Sequence, residues 1–93
     1  MIIGTLKIKL YAPWVHSLKE KRMTVKSICT KVRNKYNVSI AEVAEQDIHQ
    51  TIVLGLAFVT NERSLTDSII DGVLNFIEAN TEAEITNIER EIL

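Results

Sequence analysis

Residues 17–36 read SLKEKRMTVKSICTKVRNKY, and the spacing of the apolar side chains in this stretch organises the reading of the whole chain. Leu18, Val25, Ile28, Cys29, Val32 and Tyr36 recur at three- and four-residue steps, which puts them along one face of an α-helix. Ser17 opens a capping box with Glu20, since a Ser hydroxyl and a Glu three residues on can satisfy each other's orphan backbone N–H groups. Against that one acid stand seven cations: Lys19, Lys21, Arg22, Lys26, Lys31, Arg33 and Lys35. Lys19, Lys21 and Arg22 fall near the positive end of the helix dipole, where each cation costs roughly a few tenths of a kcal/mol. A helix N-terminus already presents N–H groups to anions, and added Lys and Arg make it a setting for phosphate. The expectation is phosphate at Lys19, Lys21 and Arg22, with Lys26 and Arg33 extending a track along the helix.

Outward from this helix, Ile2 to Tyr11 alternates with a period of two. Leu6, Ile8 and Leu10 point one way, and Thr5, Lys7, Lys9 and Tyr11 the other, which predicts a strand with one buried face. Pro13 ends any pairing, and Asn37 suits a left-handed helix stop. Val38 to Ala44 is a second strand whose apolar positions slip phase, from Val38 and Ile40 to Ala41 and Val43, as one bulged residue would cause. Ile52 to Thr60, IVLGLAFVT, is apolar on both faces, the pattern of a central strand. Ser64 to Ala79 predicts a second helix, with Ser64 and Asp67 as a capping pair. Its inner face would carry Leu65, Ile69, Ile70, Val73, Leu74, Phe76 and Ile77. Ile85 to Ile92 closes the chain as a charged edge strand.

The order β-α-β-β-α-β predicts an α+β, ferredoxin-like fold: a four-stranded antiparallel sheet of order 4-1-3-2 with both helices on one face. If the fourth strand lies beside the first, Lys7 and Lys9 should share a face with acids such as Glu89 and Glu91. Ninety-three residues, 46% hydrophobic and 25% charged, make one domain over residues 1–93. The longest apolar run, Ile52 to Val59, is far short of the roughly 20 residues that span a bilayer, and Lys7 and Lys9 interrupt any signal-peptide core. No membrane is therefore expected. A single cysteine, Cys29, cannot form an internal disulfide, which points to the cytoplasm, and its place on the apolar face makes it a small buried hydrophobe. The net charge of −1 hides an asymmetry: residues 1–36 carry +8 and residues 37–93 carry −9. Such polarity is an argument about partners rather than fold.

Because split βαβ folds also carry RNA-recognition motifs, the third strand invites comparison with their signature. Leu54-Gly55-Leu56-Ala57-Phe58-Val59-Thr60-Asn61 keeps the Gly, Ala, Phe and Val but lacks the leading base and two aromatics, so base stacking on the sheet is not supported. Two parities are open for this strand. Either Leu54, Leu56 and Phe58 face the helices, or Val53, Gly55, Ala57 and Val59 do. The first is favoured, because the small set would let a second sheet approach closely, and it predicts a homo-oligomer, in the first instance a dimer, through Val53, Gly55, Ala57 and Val59. His16 and His49 are the only histidines, neither with a second ligand at metal spacing. Glu42, Asp47 and His49, with Glu45, form the one alternative pocket for acid–base work. No P-loop, dinucleotide turn or nucleophile elbow occurs, so no catalytic, cofactor or metal residue is assigned.

Ser17-Leu18-Lys19-Glu20-Lys21-Arg22, then Asn37-Val38-Ser39-Ile40-Ala41-Glu42-Val43, Gln46-Asp47 and Leu54-Gly55-Leu56-Ala57-Phe58-Val59 together resemble the YlxP-like family of short bacterial proteins of unassigned function. The resemblance covers essentially the whole chain, and SLKEKR before a helix is its most specific mark. It implies a ferredoxin-like fold and a cytoplasmic bacterial protein. Its members' genes often neighbour those of translation-initiation and ribosome-maturation factors, which implies an RNA or ribosome connection. The family brings no catalytic residues with it, and position 48, an expected aromatic in relatives, is Ile here. The leading expectation is a non-enzymatic RNA- or ribosome-associated module. The alternative is a small homo-oligomeric enzyme or ligand-binding protein using Glu42, Asp47 or His49.

Overall fold

The alternating strand Ile2–Tyr11 is the one with which the rest of the sheet pairs. In the computed structural model, which describes all 93 residues from Met1 to Leu93, it is β1. It is followed by α1 (Leu18–Lys35), β2 (Ser39–Ala44), β3 (Thr51–Thr60), α2 (Arg63–Asn80) and β4 (Glu84–Ile92). β1 pairs antiparallel with β3 along its whole length, from Ile2↔Thr60 to Tyr11↔Thr51, and on its other side with β4. β2 completes the order β2-β3-β1-β4. This is the ferredoxin-like arrangement that the element order predicts. Neither helix is long and apolar enough to cross a membrane.

One core joins the inner faces of the sheet and both helices. Leu6, Ile8 and Leu10 of β1 and Ile52, Leu54, Leu56 and Phe58 of β3 pack against Ile28, Cys29 and Val32 of α1 and Ile70, Val73 and Ile77 of α2. The parity of β3 is therefore resolved with its bulky set inward. Burying a Leu, Ile or Phe side chain stabilises by about 1.5–3 kcal/mol, so this layer drives folding.

The predicted bulge in β2 is present: Glu42 faces Leu54 and Ala44 faces Val53, leaving Val43 as the extra residue. A second bulge at Thr86 in β4 shifts the register between Lys9 and Leu10. Three local expectations are corrected. Asn37 is not a left-handed stop, because α1 ends through an extended Tyr36 (φ −127°) whose N–H donates to the Val32 carbonyl. Ser64 does not cap α2, which begins a residue earlier, at Arg63 after an extended Glu62 with no side-chain cap. Its first turn is instead tied by the Thr66 N–H and hydroxyl, both donating to the Glu62 carbonyl. The buried residues Thr66, Ile70, Val73 and Ile77 follow one another at four, three and four residues, so Thr66 takes the inner position expected for Leu65, which is 45% exposed.

Gly4 lies opposite Phe58, and a Cβ there would stand 2.4 Å from the Phe58 ring and 2.8 Å from a Thr66 methyl. Gly55 lies beneath the bulge, where a Cβ would meet a methyl of Val43 at 2.7 Å. Phe58 is packed in the core, whereas Val43 is exposed and free to yield. Gly4→Ala should therefore lower stability by about 1–3 kcal/mol in urea unfolding, the usual cost of overpacking, and Gly55→Ala by clearly less.

Candidate nucleic-acid interface

The cations of α1 divide into one that is inside and six that are outside. Lys21 shares the apolar stripe with Leu18, Val25, Ile28 and Val32, three and four residues apart, and is only 1% exposed. Its ammonium donates to the backbone carbonyls of Glu45 and Ile48, both at 2.6 Å, and lies 2.9 Å from Glu42 Oε2. These three acceptors match the three protons of a lysine head group. Glu42 Oε2 is itself buried and makes no hydrogen bond of good geometry, so its charge is met by Lys21 as an ion pair. Glu45 is the one non-glycine residue in the left-handed region (φ 53°), and its side chain lies 3.5 Å from Lys9. Lys21 is thus withdrawn from the expected phosphate track. It holds the β2–β3 turn instead, and its burial keeps the ammonium from a ligand in solution.

Lys19, Arg22, Lys26, Lys31, Arg33 and Lys35 are exposed, and none has a carboxylate within 4.0 Å. Lys19, Arg22, Lys26 and Arg33 follow one another at steps of three, four and seven residues, so they lie along one flank of the helix. Arg33 donates to the Ile40 carbonyl of β2 (3.1 Å), which anchors that end of the row while leaving other guanidinium N–H groups free. At the helix start, the Ser17 hydroxyl accepts from the Glu20 N–H (3.1 Å), which is one half of the expected capping box; the return bond from the Ser17 N–H to the Glu20 carboxylate is not made. The stripe is the flank of α1 rather than its N-terminus.

Elsewhere Lys7, Lys9 and Arg90 are paired, and Arg63 at the start of α2 is not. Lys7 faces Glu89 across the β1–β4 pair at 4.0 Å, and Arg90 reaches Asp71 at 3.1 Å and Asp67 at 3.9 Å. Lys7 and Glu89 share the open face of the sheet, as expected, with Lys9 answered by Glu45. Of the four residues expected at a second copy, Val53 is 4% exposed and has little surface to offer. Gly55 lies under Val43, Ala57 is half-buried, and Val59 is 64% exposed. Val59 pairs with Ile3, which bonds in turn to Leu93, so these three make an apolar row at one end of the face. Phe58, the aromatic shared with the RNA-recognition signature, faces the core, which removes the sheet as a stacking platform.

The alternative pocket does not assemble as expected. Asp47 and His49 line a hollow of ≈460 Å³ together with His16, Val15, Ile48 and Gln50, but Glu42 is not among its walls, being engaged by Lys21. No group of three or more His, Cys, Asp or Glu is placed to hold a metal ion. Burial pushes the Cys29 thiol above its ordinary value; Arg33 opposes the rise and Glu42 adds to it. The residue is buried and holds its proton at neutral pH. The meeting of His16 with His49 has no signature in the sequence, because 33 positions separate them and the turn that brings them together hangs on Lys21.

The β-α-β-β-α-β order and single antiparallel sheet define a ferredoxin-like α+β protein. A de novo design with ferredoxin fold, LFR1 1, superposes with a TM-score of 0.60 at 20% identity, covering 99% of this chain and 85% of that one. The design Foldit4 gives 0.52 at 10% identity over 99% and 94%. These likenesses are of fold. Residues 3–90 match the family described as a protein of unknown function, DUF503, and the chain belongs to that family. It is also 46% identical over 70 residues to the uncharacterized protein YlxP of Bacillus subtilis (strain 168), across 75% of this chain and 76% of that protein.

Lys21→Met keeps most of the apolar stem and removes the charge, leaving the Ile48 carbonyl and the Glu42 carboxylate without their cation and the Glu45 carbonyl with only the Ile48 N–H. The expected loss is about 3 kcal/mol in chemical unfolding. Glu42→Gln in the same background should recover part of it, whereas a loss within about 0.5 kcal/mol of zero would refute the role given to Lys21.

Proposed function

We propose that this protein is a non-enzymatic RNA- or ribosome-associated binding module of the bacterial cytoplasm, using the flank of α1 to meet phosphates. The observation that carries the reading is the contrast in pairing. Lys7, Lys9, Lys21 and Arg90 have carboxylates within 4.0 Å, while every other cation of α1 stands without one. An exposed row of like charges is self-repelling until an anion neutralises it, and phosphates spaced along a nucleic-acid strand suit such a row. Arg33 is held at the far end, which fixes part of the row in advance. The enzyme alternative draws less support, since Glu42 is held by Lys21 and does not join Asp47 and His49.

The same reading keeps a second copy of the chain on the open sheet face, at the apolar row Ile3, Val59 and Leu93 rather than at Val53. Both edges of the sheet disfavour pairing, because β2 carries a bulge and an arginine-bound carbonyl and β4 carries a bulge and acids.

The phosphate role is tested with unstructured RNA at low salt. Binding through Lys19, Arg22 and Lys26 should give a log–log salt slope of about −2, near 0.7 per phosphate on a single strand. Lys19→Glu, Arg22→Glu and Lys26→Glu combined should reduce affinity at least tenfold across RNA sequences and flatten the slope, with the circular dichroism unchanged. Equal affinity in the variant and the wild type would reject the proposal. For self-association, Val59→Glu should lower the mass measured by light scattering at high concentration; a wild type already monomeric there would remove the dimer.

A further inference from the structure

We infer that the end of the domain where the β1–α1 connection (residues 12–17) meets the β2–β3 turn (residues 45–50) receives an unpaired nucleobase, so that the RNA lying on α1 is single-stranded. The inference rests on the RNA reading above and specifies its ligand.

Three observations support it. The first is the hollow between the two segments, walled by Val15 and His16 on one side and Asp47, Ile48, His49 and Gln50 on the other. It gathers both histidines of the chain. The second is that its walls are tied together. The Ala12 N–H donates to the Gln50 carbonyl (2.8 Å), the Gln50 side-chain amide donates to the Pro13 carbonyl (2.9 Å), and Lys21 holds the carbonyls of Glu45 and Ile48. A site held before the ligand arrives loses less freedom on binding. The third is the placement of the exposed aromatic rings. Of one Trp, two Tyr and two Phe, only Trp14 (38%) and Tyr11 (41%) are exposed. Trp14 immediately precedes the lining residues Val15 and His16, and Tyr11 pairs with Thr51, next to Gln50.

The chemistry of the hollow suits a base and not a phosphate. Asp47 would repel an anion, yet its carboxylate accepts hydrogen bonds from the ring N–H and amino groups that guanine, adenine and cytosine display. An imidazole donates or accepts at its two nitrogens and offers a flat face, as Trp14 and Tyr11 do, and stacking on such faces is how single-stranded RNA is held. The phosphates go elsewhere: Lys19 lies three residues beyond His16, so the cationic stripe starts within about one helical turn, roughly 5.4 Å of rise, of the hollow. In a duplex the base faces are already stacked and unavailable, so only a splayed base can use both features at once.

Trp14 is the one tryptophan and adjoins the lining residues Val15 and His16 in the chain, so its emission is the probe for a base arriving at this end. Labelled 12-nucleotide unstructured RNAs and the matching duplex are titrated at low salt, following both anisotropy and Trp14 emission. The inference expects single strands to bind about tenfold tighter than duplex and to change Trp14 emission, with duplex leaving it unchanged. Trp14→Ala and His49→Ala should each lose about tenfold on single strands and keep duplex affinity and the salt slope. Salt-dependent binding of both RNA forms alike, with Trp14 emission unmoved, overturns the inference and leaves the phosphate reading standing. No rise in anisotropy with any RNA overturns both.

Discussion

The ammonium of Lys21, closed between α1 and the β2–β3 turn, is the constraint on which that end of the molecule depends. A turn that leaves the ladder must direct its carbonyls somewhere, and those of Glu45 and Ile48 point inward, where no strand receives them. Without a cation the Ile48 carbonyl would lose its partner and the Glu45 carbonyl would keep only the Ile48 N–H, and a group left unpaired costs about 1–3 kcal/mol. The left-handed Glu45 adds local strain, which persists because Lys21 holds its carbonyl and Lys9 its carboxylate. A buried ion pair adds little net stability compared with a well-packed hydrophobe. What Lys21 supplies here is geometry, since no apolar side chain could bind two carbonyls and a carboxylate and so settle where residues 45–50 stand.

Charge pairing then sorts the surface. The two halves of the chain carry opposite net charge, and the sheet brings them together. β4 donates Glu89 to Lys7, and the end of β2 donates Glu42 and Glu45 to Lys21 and Lys9. The flank of α1 is beyond the reach of these acids. Six of the seven cations of α1 stay unpaired, against the single acid Glu20 on the same helix, and that excess gives the flank a positive field.

Much of the fold was legible because its signals are local and periodic. The period-two run in β1, the apolar β3 and the phase slip in β2 each led to an element at the right place, and the slip to a bulge whose position, Val43, only the pairing shows. The capping errors at Asn37 and Ser64 came from residue type overriding context: either residue suits a cap, but the chain reached the same boundary through Tyr36 and Thr66. The site was less legible. Counting bases on α1 treats Lys21 like its neighbours, although its spacing from Leu18, Val25, Ile28 and Val32 already put it in the apolar stripe. A charge at such a position demands a buried partner, and the acids at 42, 45 and 47 were the candidates. Read that way, Glu42 would have left the pocket and joined the core, but the meeting of His16 with His49 is a tertiary fact with no local trace.

The layer arrangement makes the two proposed surfaces compatible. The helices cover one face of the sheet and the open face lies opposite, so a second copy seated on Ile3, Val59 and Leu93 would leave α1 of each protomer outward. Two stripes on opposite sides of one dimer cannot share a short stretch of RNA, but they can hold two stretches of a folded one. The second engagement is then intramolecular, and its strength follows from the length of strand between the two sites rather than from any new contact. On the proposed reading, weak, salt-sensitive binding by each stripe would suffice for firm attachment to a large, folded RNA, while short oligonucleotides would report only the affinity of one.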